Sequence, residues 1–226
     1  MGVRLEARMS KPLSRWLWLV KWLLLIPHFV ILAFLLLGLI LATIVAFAAL
    51  LFTGRYPRRL FDYNLGVLRW TWRVSFYGYS ALATDEYPPF TLGEAPGYPA
   101  RLEVDYPDWQ RRGLPLVGRW ILGLPQYALA ILFAGSGVGL AEHYRVGGGV
   151  LHVLVFVVAM LLLFTDDYPA DVFDLVMGFN RWCFRVVAYA LFMRPEYPPF
   201  RFDSGPNEPS GSAGAVPPPV VPPVAG

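Results

Sequence analysis

Four arginines are the residues whose type and spacing are best suited to binding chemistry. They form two pairs, Arg69 with Arg73 and Arg181 with Arg185, and a spacing of four residues places both members of a pair on one face of a helix. An aspartate and a glycine precede each pair on the same face, at identical spacings: Asp62 and Gly66, and Asp174 and Gly178.

A guanidinium group binds phosphate and carboxylate through paired hydrogen bonds. The two arginine faces therefore suit a site for an anionic lipid headgroup or another small anion. A structural role is the favoured interpretation, in which each arginine pairs with an aspartate of either half or anchors its helix at a membrane interface. The two glycines either admit a neighbouring helix or are tolerated weak points.

The rest of the chain contains no familiar catalytic pattern. Nucleophile elbows, phosphate loops, zinc-protease helices and dinucleotide-binding glycines do not occur. Cys183 is the single cysteine, which excludes an intrachain disulfide and a cysteine-based metal cluster. His28 lies in an apolar run, where a hydrogen-bonded structural role is favoured over a proton relay. We therefore expect no catalytic residue, metal or cofactor, and a membrane enzyme is the least favoured interpretation.

Composition indicates a membrane protein. Of 226 residues, 56% are hydrophobic and 15% are charged, against about 25% charged in an ordinary soluble domain. The net charge is +3, and the basic residues flank apolar stretches instead of forming a Lys/Arg-rich run. A lipid bilayer, with anionic phospholipid, is therefore a better-matched partner than nucleic acid.

The first apolar run covers residues 23–52, which is longer than the roughly 20 residues that span a bilayer. Extended back to Trp16, it suffices for two short helices turning near Gly38, so a hairpin is favoured and a single long helix stays open. A second apolar block covers residues 116–140 and 150–165, with a polar, glycine-rich loop between them. This block predicts a second hairpin.

The two halves of the chain repeat one another. Glu-Tyr-Pro-Pro-Phe occurs at 86–90 and again at 196–200, after the same Asp, Gly, Arg, Arg spacing. Tandem duplication is therefore predicted, with repeats at 1–99 and 100–203. Residues 204–226 are rich in Pro, Gly, Ser and Ala, which predicts a disordered tail.

The repeated motifs resemble a known family. They are Thr-Gly-Arg-Tyr-Pro at 53–57, Leu-Phe-Asp at 60–62, Gly-Val-Leu-Arg-Trp at 66–70 and the Glu-Tyr-Pro-Pro-Phe stop. Together they are similar to bacterial membrane proteins grouped as domain of unknown function 4389, in two copies that exclude the tail. The second copy departs from the pattern, because Asp166 and Asp167 replace Gly54 and Arg55, and Gln126 replaces His28. The resemblance implies an integral membrane protein and adds no mechanism.

Basic residues both precede and follow the first apolar run, and a hairpin would return both groups to the cytoplasm. We therefore expect an all-α, multi-pass protein of the bacterial cytoplasmic membrane with both termini cytoplasmic. Each repeat would contain an apolar helical hairpin and an Arg-bearing amphipathic helix at the inner interface. The rival arrangement has single long helices and amphipathic helices that span the membrane.

Two functions fit these expectations. The first is a noncatalytic scaffold or accessory subunit of a membrane assembly, with another membrane protein or a second copy as partner. The alternative is an anionic-lipid or small-anion binding or transport protein that uses the paired arginines.

Overall fold

The computed structural model describes residues 2–107, 115–135, 149–165, 168–200 and 202–205. These residues form six helices and two strands, in chain order: β1 (Val3–Ala7), α1 (Trp18–Thr53), α2 (Arg58–Tyr77), β2 (Ala100–Val104), α3 (Pro115–Leu122), α4 (Leu124–Ala134), α5 (Val150–Thr165) and α6 (Ala170–Ala190). The chain is mainly helical, as predicted. The all-α expectation is corrected by the two strands, and the predicted disordered tail lies outside the described residues beyond position 205.

The first apolar segment is one continuous helix, so the predicted hairpin in this repeat is wrong and the single long helix is correct. α1 passes through Gly38 without a turn, because one glycine inside a helix costs only about 1 kcal/mol. The space beside Gly38 receives the hydroxyl of Tyr63, which donates to the Leu35 carbonyl at 3.0 Å. α1 ends instead at Gly54, whose left-handed backbone (φ 69°) lets its N–H cap the Leu50 carbonyl.

The second apolar block is interrupted where α1 is continuous. α3 and α4 are bent by 45° at their junction. Phe133, near the end of α4, packs on Phe179 of α6, and Gln126, near its start, bonds Trp182 further along α6. Gly149, which precedes α5, lies against the backbone at the end of α4. α4 and α5 therefore follow one another along α6, in the same direction, instead of folding back as a hairpin.

The two strands come from equivalent segments of the repeats. They pair antiparallel, and Leu5 lies opposite Leu102, its own counterpart in the other repeat. A pairing of this kind relates the repeats by a pseudo-two-fold axis that passes through the Leu5–Leu102 pair, perpendicular to the sheet. Alternate residues face the interior on both strands, so the sheet has one buried apolar face and one polar face.

The repeats share their packing across this axis. α2 packs on β2, the strand of the other repeat, and α6 packs on β1. Beneath the sheet, Trp72 of α2 contacts Phe184 of α6, with ring centroids 5.4 Å apart. These two residues occupy equivalent positions, so the axis continues from the sheet into a common core.

α1 buries one narrow stripe against α2 and exposes apolar side chains elsewhere. The stripe recurs every three to seven residues and consists of Lys21, Leu25, His28, Leu32, Leu39, Ala42, Ala46 and Leu50. Phe34 is 73% exposed and Phe52 is 83% exposed. Among the described helices, α1 is long and apolar enough to cross a membrane, and α3 with α4 adds a second candidate if the bent pair counts as one span.

Candidate functional site

The arginines of the first repeat face β2 and the chain segment that follows α2. Residues 86–95 are called the first return segment here. Arg69 donates from Nε to the Leu102 carbonyl at 3.0 Å and forms an ion pair of 2.8 Å with Glu94. Arg73 donates to the carbonyls of Gly93, at 3.1 Å, and Thr91. Both guanidinium groups therefore hold the return segment, and Arg69 also holds the strand of the other repeat.

The arginines of the second repeat have an equivalent setting. Residues 196–205 are the second return segment, in which position 201 lies outside the described residues. Arg181 is fully buried and donates from Nε and Nη2 to the Leu5 carbonyl at 3.2 and 3.1 Å. It also donates to the carbonyls of Asp203 and Gly205. Arg185 forms an ion pair of 2.7 Å with the Asp203 carboxylate.

These contacts form a reciprocal pair, which we call the arginine clamps: Arg69 on Leu102 and Arg181 on Leu5. Each clamp joins the helix of one repeat to the strand of the other at the pseudo-two-fold axis. The sequence placed the four arginines on equivalent faces correctly. Arg185 pairs with an aspartate of its own repeat, as one alternative proposed, but that aspartate is Asp203. The two aspartates on the arginine faces have other contacts, because Asp62 pairs with exposed Arg58 at 3.3 Å and Asp174 accepts the Gly205 N–H through its backbone carbonyl.

Gly66 and Gly178 make room for the return segments. A Cβ atom on Gly66 would lie 2.9 Å from the Leu92 carbonyl oxygen, and one on Gly178 would lie 2.5 Å from the Phe202 ring. Both glycines are therefore sites of close approach, as one alternative proposed. The approaching element is the return segment of the same repeat and not a neighbouring helix.

Gly66→Ala is expected to destabilise the protein by about 1–3 kcal/mol, because the new methyl group meets backbone that cannot move freely. Gly118→Ala is the matched control. Gly118 also lies in a helix but has open space around it, so alanine should stabilise by up to about 1 kcal/mol. Thermal unfolding in detergent measures both variants, and equal shifts for the two would contradict this account of Gly66.

His28 has the structural role that the sequence favoured. The Trp70 indole donates to His28 Nδ1 at 3.0 Å, and the imidazole stacks on Phe90 with ring centroids 4.0 Å apart. In the second repeat, the Trp182 indole donates to Gln126 Oε1 at 2.7 Å. His28 and Gln126 therefore each supply a hydrogen-bond acceptor to the indole N–H of an equivalent tryptophan.

His28→Gln is accordingly expected to change the unfolding free energy by less than about 1 kcal/mol, since the acceptor is retained. His28→Leu leaves the buried indole without an acceptor and should cost about 1–3 kcal/mol. The same unfolding measurement compares the two, and a glutamine variant as unstable as the leucine variant would show that the imidazole has a further role.

A second set of equivalent contacts, made by Lys21 and Arg119, was not among the predicted site residues. Lys21 is buried, lies over the Tyr77 ring and pairs with Asp85 at 2.9 Å. Arg119 lies over the Tyr189 ring. The signal in the sequence is that both basic residues directly precede a tryptophan, Trp22 and Trp120, at equivalent places of the two repeats.

The tyrosines that precede α2 and α6 also reach across to the other repeat. Tyr56 donates to the Leu191 carbonyl at 3.4 Å, and Tyr168 donates to the Ala81 carbonyl at 2.9 Å. Burial raises the pKa of Tyr56 to about 12, so its phenol stays protonated and able to donate at neutral pH. The Tyr-Pro pairs at these two positions directly precede α2 and α6, and their tyrosines also join the repeats.

One open pocket lies beside the first pair of arginines. Its charged lining residues are Arg69, Arg73, Arg101, Glu94 and Glu103. Arg73 is 2% exposed. Its buried Nε atom has no hydrogen-bond partner among the described residues.

The family model described as "Domain of unknown function (DUF4389)" matches residues 15–91 and 140–201. These two segments cover more than half of the sequence, and the chain belongs to this family. The match confirms the resemblance inferred from the repeated motifs and its occurrence in two segments. No curated protein and no solved structure matches the chain.

Proposed function

We propose that the protein is a noncatalytic scaffold or accessory subunit of an assembly in the bacterial cytoplasmic membrane. The observation that carries the proposal is the outer surface of α1, which is apolar and largely exposed beyond the buried stripe and the partly buried side chains beside it. A soluble protein would bury such side chains, since each costs about 1.5–3 kcal/mol to leave in water. Lipid or an apolar partner removes that cost.

The dimensions of α1 support a membrane location. Thirty-six residues at 1.5 Å each give a length of roughly 54 Å, against about 30 Å for the hydrocarbon core. The helix can therefore cross the core with its ends in the headgroup regions or tilted within it. α2 runs back along α1, through contacts such as Asn64 with Thr43 and Trp70 with His28. The helices of one repeat therefore enter the bilayer as a packed pair.

The sheet presents a charged face to its surroundings. Its polar face carries Arg4, Glu6, Arg101 and Glu103, with an ion pair of 2.7 Å between Arg4 and Glu103, and these charges require water or headgroups. Gly205, near the end of the described chain, accepts a bond from Arg181, which also bonds Leu5 near the chain start. Leu5 and Gly205 therefore lie close together. Because α1 is a single helix, Arg55, Arg58 and Arg59 follow it at the end opposite Arg8, Lys11 and Arg15, so the positive-inside rule selects neither end of α1 as the cytoplasmic one.

The contacts of the polar side chains support a scaffold instead of a reactive site. The arginine clamps, Tyr56 and Tyr168 all donate to backbone carbonyls of the other repeat. Such bonds fix the relative position of the repeats and thereby hold two apolar surfaces, on α1 and on α4 with α5, in a constant arrangement. A rigid pair of apolar surfaces suits the binding of neighbouring membrane helices.

Photocrosslinking in native membranes tests the scaffold function. A photoreactive amino acid at Phe34, which faces outward, is expected to crosslink the chain to one defined membrane protein or to a second copy. The same amino acid at Ala46, which is fully buried, is the matched control and should give crosslinks within the chain. Lipid as the sole product at Phe34, Ile40, Ile44 and Phe52, together with a solitary monomer in mild detergent, would contradict the proposal.

Anion binding is the second candidate, and one observation favours it. The pocket beside Arg69 and Arg73 is open, so an anion could reach these two guanidinium groups. The hydrogen bonds and ion pairs described above for the four arginines are all with groups of the protein itself.

A further inference from the structure

The two return segments differ at one position that faces an arginine. The Glu-Tyr-Pro-Pro-Phe motifs align residue 86 with residue 196, so Gly93 corresponds to Asp203, and the arginine spacing aligns Arg73 with Arg185. In the second repeat, the carboxylate of Asp203 pairs with Arg185 at 2.7 Å, and the side chains are only 7% and 10% exposed. The first repeat has no side chain at the corresponding position.

Arg73 is buried without the carboxylate that its counterpart has. Its guanidinium group donates hydrogen bonds to two backbone carbonyls of its own return segment, those of Thr91 and Gly93. Its buried Nε atom has no hydrogen-bond partner among the described residues. A buried cation is costly unless it is paired and hydrogen-bonded. The pocket opens at this point, with Arg73 and Gly93 both in its lining.

We propose that this pocket binds a phosphate group in the place that the Asp203 carboxylate takes in the second repeat. Three guanidinium groups line it, from Arg69, Arg73 and Arg101, against the two carboxylates of Glu94 and Glu103. The balance is one positive charge, and arginine forks match the several acceptor oxygens of phosphate. Glu94 is 67% exposed and can leave Arg69 as the phosphate enters.

The phosphate comes either from a lipid headgroup or from free phosphate in solution. Arg101 and Glu103 belong to the polar face of β2, so the pocket opens where headgroups and water would both reach it. The lipid source rests on the proposed membrane location. The free-phosphate source does not depend on that location. Phosphate binding can therefore succeed where the scaffold proposal fails, and it can fail where the scaffold proposal holds.

Gly93→Asp tests the site by supplying the carboxylate from the chain itself. A Cβ atom on Gly93 meets nothing closer than the Thr91 hydroxyl at 3.4 Å, so the side chain fits. Gly97→Asp is the matched control: it makes the same charge change on the following loop, where a Cβ has open space, and Gly97 does not line the pocket. Both variants should fold, and Gly93→Asp should melt at or above the wild-type temperature.

The full chain is titrated with inorganic phosphate in detergent by calorimetry, and retention of phosphatidylglycerol is measured by native mass spectrometry. The wild type is expected to bind at least one of the two probes. Gly93→Asp should weaken that binding by about tenfold or more, whereas Gly97→Asp should leave it within about threefold. Phosphate binding identifies the free anion as the source, and lipid retention without phosphate binding identifies the headgroup. Binding of neither probe, or equal losses in the two variants, would overturn the proposal.

Discussion

Arg181→Gln is expected to lower the unfolding free energy by about 3–5 kcal/mol. Arg181 is fully buried and donates to the carbonyls of Leu5, Asp203 and Gly205. A shorter neutral side chain cannot reach all three, so buried carbonyl groups lose their donors. The strand of the first repeat and the second return segment should both loosen.

The control for Arg181→Gln is Arg58→Gln. Arg58 forms an ion pair with Asp62, but both side chains are more than half exposed, and such pairs contribute about 0–1 kcal/mol. Thermal unfolding in detergent measures both, and hydrogen exchange at residues 3–7 shows whether β1 loosens first. Similar shifts for the two variants would mean that the clamp does not stabilise the junction of the repeats.

Trp72→Ala is expected to cost about 3–5 kcal/mol, because it removes the largest buried side chain from the shared core. Trp72 is fully buried and contacts both Phe76 and Phe184. The cavity would lie on the pseudo-two-fold axis, where both repeats meet.

Trp16→Ala is the matched control for Trp72, since Trp16 is 65% exposed and its loss creates no cavity. Its unfolding free energy should stay within about 1 kcal/mol of the wild type. If Trp72→Ala weakened the protein no more than Trp16→Ala, the repeats would not depend on a common core.

Local sequence patterns predicted the helices that bear the arginines. The spacing of Asp62, Gly66, Arg69 and Arg73 indicated one helical face, and its recurrence indicated an equivalent helix. Both follow from the 3.6-residue period of a helix, which needs no knowledge of distant residues. The close approach at Gly66 was also among the alternatives, although the approaching segment was not.

The length of the first apolar run could not decide between a hairpin that turns near Gly38 and a single long helix. The mostly apolar run from Trp16 to Phe52 is long enough for two short helices or one long helix, and the deciding contact is the Tyr63 hydroxyl in the space beside Gly38. Tyr63 lies on another helix, 25 residues further along the chain. The choice between the two therefore depends on tertiary packing.

The strands were visible only as weak patterns. Val3–Ala7 and Ala100–Val104 alternate apolar and polar residues, which is typical of a half-buried strand. Two five-residue segments about a hundred residues apart give no local sign of pairing. The clamps depend on that pairing, so the backbone carbonyls of Leu5 and Leu102 could not be predicted as arginine partners.

Extraction of cell membranes tests the central claim most directly, which is that the exposed apolar faces of α1, α4 and α5 lie in lipid. Membranes that contain the full chain are washed with alkaline carbonate and then treated with a mild detergent. We predict that the chain stays in the membrane pellet through the carbonate wash and enters the supernatant only with detergent. A folded, monomeric chain in the aqueous fraction without detergent would contradict the claim.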